Sequence, residues 1–256
     1  MEKIGKVELG LQSRAASVPV IAGVMKSLSI HEAKRAKDSG ADIVELRIDL
    51  LKGEERSVGK IKEFIAMLKD SHSATSTSIQ MPIIVTNRKK EEGGSFAGSE
   101  TKRIGILSSI LETAEVDAVD VEFFSSAELR STIIEKAKSL HIPVILSFHD
   151  FKGMPSHEDI TKIIEGMYEE GGSIAKIAVT PKTVSDALFL LNLTYKVSCE
   201  RKLLVTIGMG PAGRHLRVIA PLYGSALTYG FIEGGEGVAP GQFSVNELRN
   251  IMEKVG

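Results

Sequence analysis

The sequence predicts one α/β domain, a single-domain (β/α)8 TIM barrel spanning residues 1–256. Three observations predict it. Eight short β-branched runs recur along the chain. Most are separated by segments whose apolar residues fall three and four apart, the spacing of an amphipathic helix. The length, 256 residues, lies close to the roughly 200–250 residues at which such barrels form one domain. Repeated strand–helix alternation implies parallel strands joined by crossover helices. An open doubly wound sheet shares the alternation, but eight units at this length favour closure.

The strand runs are VPVIAGV (18–24), DIVELRI (42–48), PIIVTN (82–87), AVDVEFF (118–124), PVILSFH (143–149), IAKIAVT (174–180), LLVTIGM (203–209) and ALTYGF (226–231). Their near-continuous apolar character suits a sheet covered on one face and filled on the other. The helical segments are SIHEAKRAKDSG, VGKIKEFIAMLK, TKRIGILSSILETA, AELRSTIIEKAKSL, HEDITKIIEGMYEEGG, TVSDALFLLNLTYKVS and SVNELRNIMEKV. Ser or Thr stands at many of their starts, where an N-cap belongs, and Gly closes several. In the first, Lys34, Lys37 and Asp38 fall on a solvent face while Ala33 and Ala36 pack inward. Residues 1–17 precede the first run and are expected to close the barrel floor. SHSATSTS (71–78) reads as a solvated loop, and no linker divides the chain.

Charge and cysteine content exclude several classes. Lys and Arg number 32 against 33 Asp and Glu, so no basic footprint for nucleic acid exists. No run approaches the ~18 apolar residues of a membrane span, and the first residues lack the apolar stretch of a secretory leader. A cytoplasmic location is therefore expected. Cys199 is the one cysteine, which rules out an intramolecular disulfide and a cysteine-rich metal site. The histidines show no ligand spacing, so no metal is expected.

In this architecture chemistry lies at the carboxyl ends of the strands, and that rule gathers scattered polar residues into one constellation. Glu45, Arg47 and Asp49 alternate in VELRID and share a face. Arg88 ends the third strand, with Glu92 shortly after. Asp120 and Glu122 alternate on the fourth. His149 and Asp150 end the fifth, and Lys176 lies within the sixth. Arg217 follows the seventh and Gln242 the eighth. A lysine in an apolar run usually snorkels to water; a central barrel strand gives it no route, so Lys176 points inward. Desolvation there favours the neutral amine, a nucleophile toward carbonyls. His149, one strand away, is a candidate general base. Glu45, Asp49, Asp120 and Glu122 read equally as an interior ion-pair layer with Arg47.

GMGPAG (208–213) matches G-x-G-x-x-G, with Glu233 about 20 residues on, as a dinucleotide site would have. Two facts oppose that reading. The motif follows the seventh strand rather than opening a βαβ half, and Pro211 removes an N–H that phosphate would need. A glycine-rich barrel loop that lets Arg217 approach a ligand is the alternative.

These residues together resemble the type I 3-dehydroquinate dehydratases, the Schiff-base enzymes of the shikimate pathway of aromatic amino-acid biosynthesis. The blocks are VELRID, R-x-x-x-E-G-G from Arg88 to Gly94, DVEFF, VILSFHDF, KIAVTP, RVIAPLYGSALTYG and APGQ, running from about residue 18 to the end. The resemblance implies that Lys176 forms an imine with 3-dehydroquinate and that His149 serves as base and then acid. It implies that Glu92 orients His149, and that Arg217 grips the substrate carboxylate. Glu45, Arg47, Arg88 and Gln242 would hold the ring hydroxyls, and the loop from Glu233 to Gln242 would close over the substrate. No cofactor is implied, and a homodimer is. Two positions depart from the pattern. Val238 stands where a hydroxyl residue is usual, which leaves one contact missing or supplied by Ser225 or a backbone N–H. Phe148 stands where a polar residue often precedes the histidine, which bears on the bonding around it. The rival readings are a class I aldolase, a barrel that only binds a carboxylate, and a dehydrogenase.

Overall fold

The computed structural model describes residues 2–10, 19–70 and 79–255. Eight parallel strands form one sheet: β3 (Ile21–Met25), β4 (Ile43–Arg47), β5 (Ile83–Thr86), β6 (Ala118–Glu122), β7 (Val144–Asp150), β8 (Ile174–Val179), β9 (Leu203–Gly208) and β10 (Thr228–Phe231). Their order is β10-β3-β4-β5-β6-β7-β8-β9, with β10 returning to pair β3. The sheet thus curls into a nearly closed (β/α)8 barrel. Ser225 bridges the remaining seam to β9: it pairs with Leu204, and its Oγ accepts the Thr206 N–H at 3.0 Å and donates to the Leu227 carbonyl at 3.1 Å.

Helices α1 (Ile30–Asp38), α2 (Val58–Lys69), α3 (Glu100–Thr113), α4 (Ala127–Ser139), α5 (His157–Glu169) and α6 (Val184–Cys199) follow the first six barrel strands. Each begins at a hydroxyl cap, Ser29, Ser57, Ser99, Ser126, Ser156 and Thr183 in turn, whose side chain accepts a first-turn N–H. Such caps contribute about 1 kcal/mol apiece. On α1, Ala33 and Ala36 are fully buried while Lys34, Lys37 and Asp38 are exposed. After β9 come a short helix, α7 (Gly210–Gly213), and α8 (Leu216–Leu222); α9 (Val245–Val255) ends the chain.

Strand alternation divides the core into two layers. Outward-facing residues such as Val44, Leu46, Val119, Val121 and Ile177 pack against the helices. Their neighbours Ile43, Ile84, Ala118, Ile145 and Ile174 fill the lower barrel. Near the N-terminus, β1 (Lys3–Ile4) and β2 (Val7–Glu8) form an antiparallel hairpin, and Ile4 and Leu9 join that same interior cluster. The rest of the segment expected to close the floor, residues 11–17, lies outside the described residues, as does the loop 71–78.

Candidate active site

Going up strands β4 to β8, the inward positions turn from apolar to polar. Ile43 gives way to Glu45 and Arg47, Ile84 to Thr86 and Arg88, Ala118 to Asp120 and Glu122, Ile145 to Ser147 and His149, and Ile174 to Lys176. The lower barrel is therefore a packed plug, and the carboxyl end holds the chemistry. A cavity of ≈ 510 Å³ opens there. Its walls include Lys176, His149, Glu92, Glu45, Arg47, Arg88, Arg217 and Gln242, every site residue expected from the sequence.

Lys176 Nζ donates to Asp120 Oδ2 at 2.8 Å and lies 3.5 Å from Glu45 Oε1. Burial opposes its charge, but Asp120 and Glu45 outweigh burial and hold the ammonium above the usual lysine range. The sequence-based expectation of a neutral amine is corrected here: its carboxylate partner sits two strands away on β6, across Ser147. Asp120 in turn meets Arg88 at 2.9 Å and accepts the Ser147 hydroxyl at 2.6 Å. Burial pushes its carboxyl up, yet Arg88 and Lys176 draw it well below the carboxylate range.

The ion-pair layer exists, but Arg88 rather than Arg47 is its centre. Arg88 bridges Asp120 and Glu122, and Glu122 also accepts Arg103 of α3 at 2.6 Å. Among the described residues Arg47 pairs with Asp49, through a two-pronged contact at 2.8 and 2.7 Å. Asp49 stands in the 3-10 turn Ile48–Leu50 beyond β4 and also accepts the Arg88 and Ser95 N–H groups. That fixes Asp49 as a structural anchor which aims Arg47 into the cavity.

Glu92 accepts both the backbone N–H of His149 and its Nδ1, each at 2.9 Å. With Nδ1 engaged, Nε2 is the ring nitrogen without a hydrogen-bond partner among the described residues. Burial first, then Arg88 and Lys176, depress the imidazole well below its usual range and keep it neutral. Burial raises the Glu92 carboxyl to about 7. The glycine pair that follows explains how Glu92 reaches its place. Gly93 adopts φ +79°, and a Cβ on Gly94 would stand 2.0 Å from the Arg88 carbonyl oxygen. Only two glycines let the chain double back so tightly.

Arg217 of α8 is 2% exposed, and among the described residues its guanidinium meets only the Pro240 carbonyl, at 3.5 Å. Its Nε is buried without a partner among the described residues. Burial lowers its pKa to about 10. A desolvated guanidinium lacking a carboxylate is a socket for an anion.

The glycine motif folds onto itself. A Cβ on Gly208 would lie 2.1 Å from the Gly213 carbonyl, so that space is filled by the chain's own turn. Glu233 accepts the Asn246 N–H at 3.1 Å. Ser225 is corrected as a stand-in for the hydroxyl absent at Val238, because both its bonds lie in the barrel seam. Val238 itself lines the cavity, and its N–H donates to Gln242 Oε1 at 2.8 Å. Phe148 faces outward, its ring edge-on to Phe124 at 5.4 Å, on the opposite side of β7 from His149. Two participants went unrecognised in the sequence. Tyr229 lies against Lys176, and Arg103 braces Glu122.

Fold and site together define a (β/α)8-barrel enzyme with a buried lysine and a buried arginine in one cavity. The family model for type I 3-dehydroquinase matches residues 16–256, and the chain belongs to that family. It is 40% identical to the 3-dehydroquinate dehydratase of Methanosarcina mazei, covering 99% of each chain. It is 31% identical to that of Klebsiella pneumoniae, over 92% of this chain and 91% of the relative. The type I enzyme of Clostridium difficile superposes with a TM-score of 0.82 at 28% identity, over 99% of this chain and 96% of that one. A Thermus thermophilus dihydropteroate synthase, at 12% identity and a TM-score of 0.57 over 96% and 97% of the two chains, shares the fold alone. The activity is that of the family, dehydration of 3-dehydroquinate in the shikimate pathway.

Proposed function

We propose that dehydration proceeds through an imine on Lys176, with His149 moving the protons. The carrying observation is that Lys176, His149 and Arg217 line one cavity. They supply a nucleophile, a neutral base and an anion clamp.

Arg217 receives the substrate carboxylate, which turns the ring so that its ketone faces Lys176. Lys176 gives up its proton to neutral His149 and adds to the carbonyl carbon. The oxygen takes that proton and a second one that His149 passes to it from the nitrogen, and it leaves as water, so the iminium forms with His149 neutral again. The iminium then withdraws electrons from the adjacent C–H, and His149 removes that proton to leave an enamine. The same imidazole, now protonated, delivers a proton to the neighbouring hydroxyl, which departs as water. Hydrolysis of the imine releases 3-dehydroshikimate. Glu92 holds the ring orientation and balances the imidazolium while it exists. Glu45, Arg47, Arg88 and Gln242 bind the ring hydroxyls. The 233–242 loop, tethered by Lys26 Nζ to the Glu236 carbonyl at 2.8 Å, closes over the substrate and keeps bulk water out. The C. difficile relative, solved with covalent modified comenic acid, lends support to a covalent route.

Purified protein mixed with 3-dehydroquinate should produce a conjugated enone absorbance, abolished in Lys176→Ala and His149→Ala. Full turnover in Lys176→Ala would refute the imine.

The working unit is taken to be a cytoplasmic homodimer. α6 exposes Val184, Leu188 and Tyr195 at helical spacing, an apolar stripe suited to a second copy. Light scattering on the purified chain tests the stoichiometry, and subcellular fractionation tests the location. A monomer, or recovery outside the cytoplasmic fraction, contradicts the respective assignment.

A further inference from the structure

Lys176 has a neighbour besides its two carboxylates. Its Nζ rests 4.0 Å from the centroid of the Tyr229 ring. Tyr229, on β10, is 5% exposed and lines the cavity. Its hydroxyl is buried and finds no hydrogen-bond partner among the described residues. Buried hydroxyls are ordinarily paired, and leaving one unpaired destabilises the fold. A cavity occupant can satisfy it.

The charges around Nζ point to what that occupant presents. Asp120 and Glu45, at 2.8 and 3.5 Å, can only accept hydrogen bonds in their ionised forms. When an amine adds to a ketone, negative charge develops on the oxygen bound to the same carbon. Two carboxylates beside the nitrogen repel that charge. Tyr229 is the group against Nζ that can donate, and burial keeps its phenol protonated, above the usual range.

Building on the imine reading above, we propose that the Tyr229 hydroxyl donates a hydrogen bond to the substrate ketone oxygen as Lys176 adds to it. The net step converts the ammonium and the ketone into an iminium and water. The C–N bond forms, the C–O bond breaks, and two ammonium protons leave with the oxygen, carried by His149. Tyr229 keeps its proton throughout and acts as an oxyanion donor. The ring beneath Nζ meanwhile favours the cation at both ends of the step, first as ammonium and then as iminium.

Tyr229→Phe separates these two roles, since it keeps the ring and removes the hydroxyl. Rapid-quench borohydride trapping, followed over time, reads how fast the Lys176 adduct forms. The variant should form it about tenfold more slowly, the loss of one buried hydrogen bond in the transition state. Its ligand-free Tm should be unchanged or higher, because a buried group without a partner has gone. Adduct formation at the wild-type rate overturns the proposal. So does a lowered Tm, which would mean that the hydroxyl bonds the protein itself. Failure of the wild-type enzyme to form any adduct instead overturns the imine reading, so the two failures are distinguishable.

Discussion

Asp120 holds the Lys176 ammonium at 2.8 Å, and that pairing reverses the protonation that burial alone would impose. Asp120→Asn keeps the shape and removes one charge, leaving Glu45 as the remaining carboxylate against burial, so the amine shifts down. The pH at which Lys176 becomes reactive toward an amine-modifying reagent should fall, as read by peptide mass spectrometry. The variant should also lose about 3–5 kcal/mol of stability, because it strands buried cations. An unchanged reactivity profile would mean that Asp120 does not set the charge of Lys176.

Arg217 is the opposite case, a buried cation with no carboxylate partner among the described residues. Arg217→Lys keeps a charge but loses the two-pronged geometry, and KM should rise at least about tenfold. Arg217→Met should raise the ligand-free Tm, since it removes a desolvated charge whose partner arrives only with substrate. A KM near wild type in the Lys variant would place the carboxylate elsewhere.

Glu92 links the site to pH. A carboxyl whose pKa rises on folding contributes stability at low pH and loses it as pH climbs from the unfolded value toward the folded one. For Glu92 that window runs from 4.5 to about 7. Glu92→Gln abolishes the titration, so its Tm relative to wild type should improve between about pH 5 and about pH 8. A constant difference across that range would show that Glu92 is ionised throughout.

Val238 lines the cavity proposed to receive an oxygen-rich substrate, and it offers only methyl groups there. Val238→Ser adds a hydroxyl there, and KM should fall, by about fivefold if one hydrogen bond is gained. Steady-state kinetics decide this, and an unchanged KM would show that the position makes no polar contact.

Much of this site is legible in the sequence because barrel geometry makes position informative. Once the strands are placed, alternation alone turns Glu45, Arg47, His149 and Lys176 inward, and the carboxyl-end rule gathers them with Arg217 and Gln242. What alternation does not give is register between strands. Asp120 and Lys176 are 56 residues apart, and their pairing across Ser147 sets the charge on the lysine. Alternation and burial alone therefore predict a neutral lysine, while the fold keeps it charged. Tyr229 went unrecognised because an aromatic in a β-branched run is ordinary strand composition. Arg103 was hidden differently. It falls on the same helical stripe as Leu107 and Ile110, and that spacing, read strictly, marks it as buried despite its charge. The outward turn of Phe148 follows from the same alternation that aims His149 inward.

Borohydride trapping tests the imine on Lys176 most directly. The protein is incubated with 3-dehydroquinate, reduced, digested and mapped by peptide mass spectrometry, with Lys176→Ala as control. A mass increment on the Lys176 peptide matching the dehydrated product skeleton, absent from the control, is the expected result. An adduct on another lysine, or turnover to the enone with no adduct at all, would contradict it.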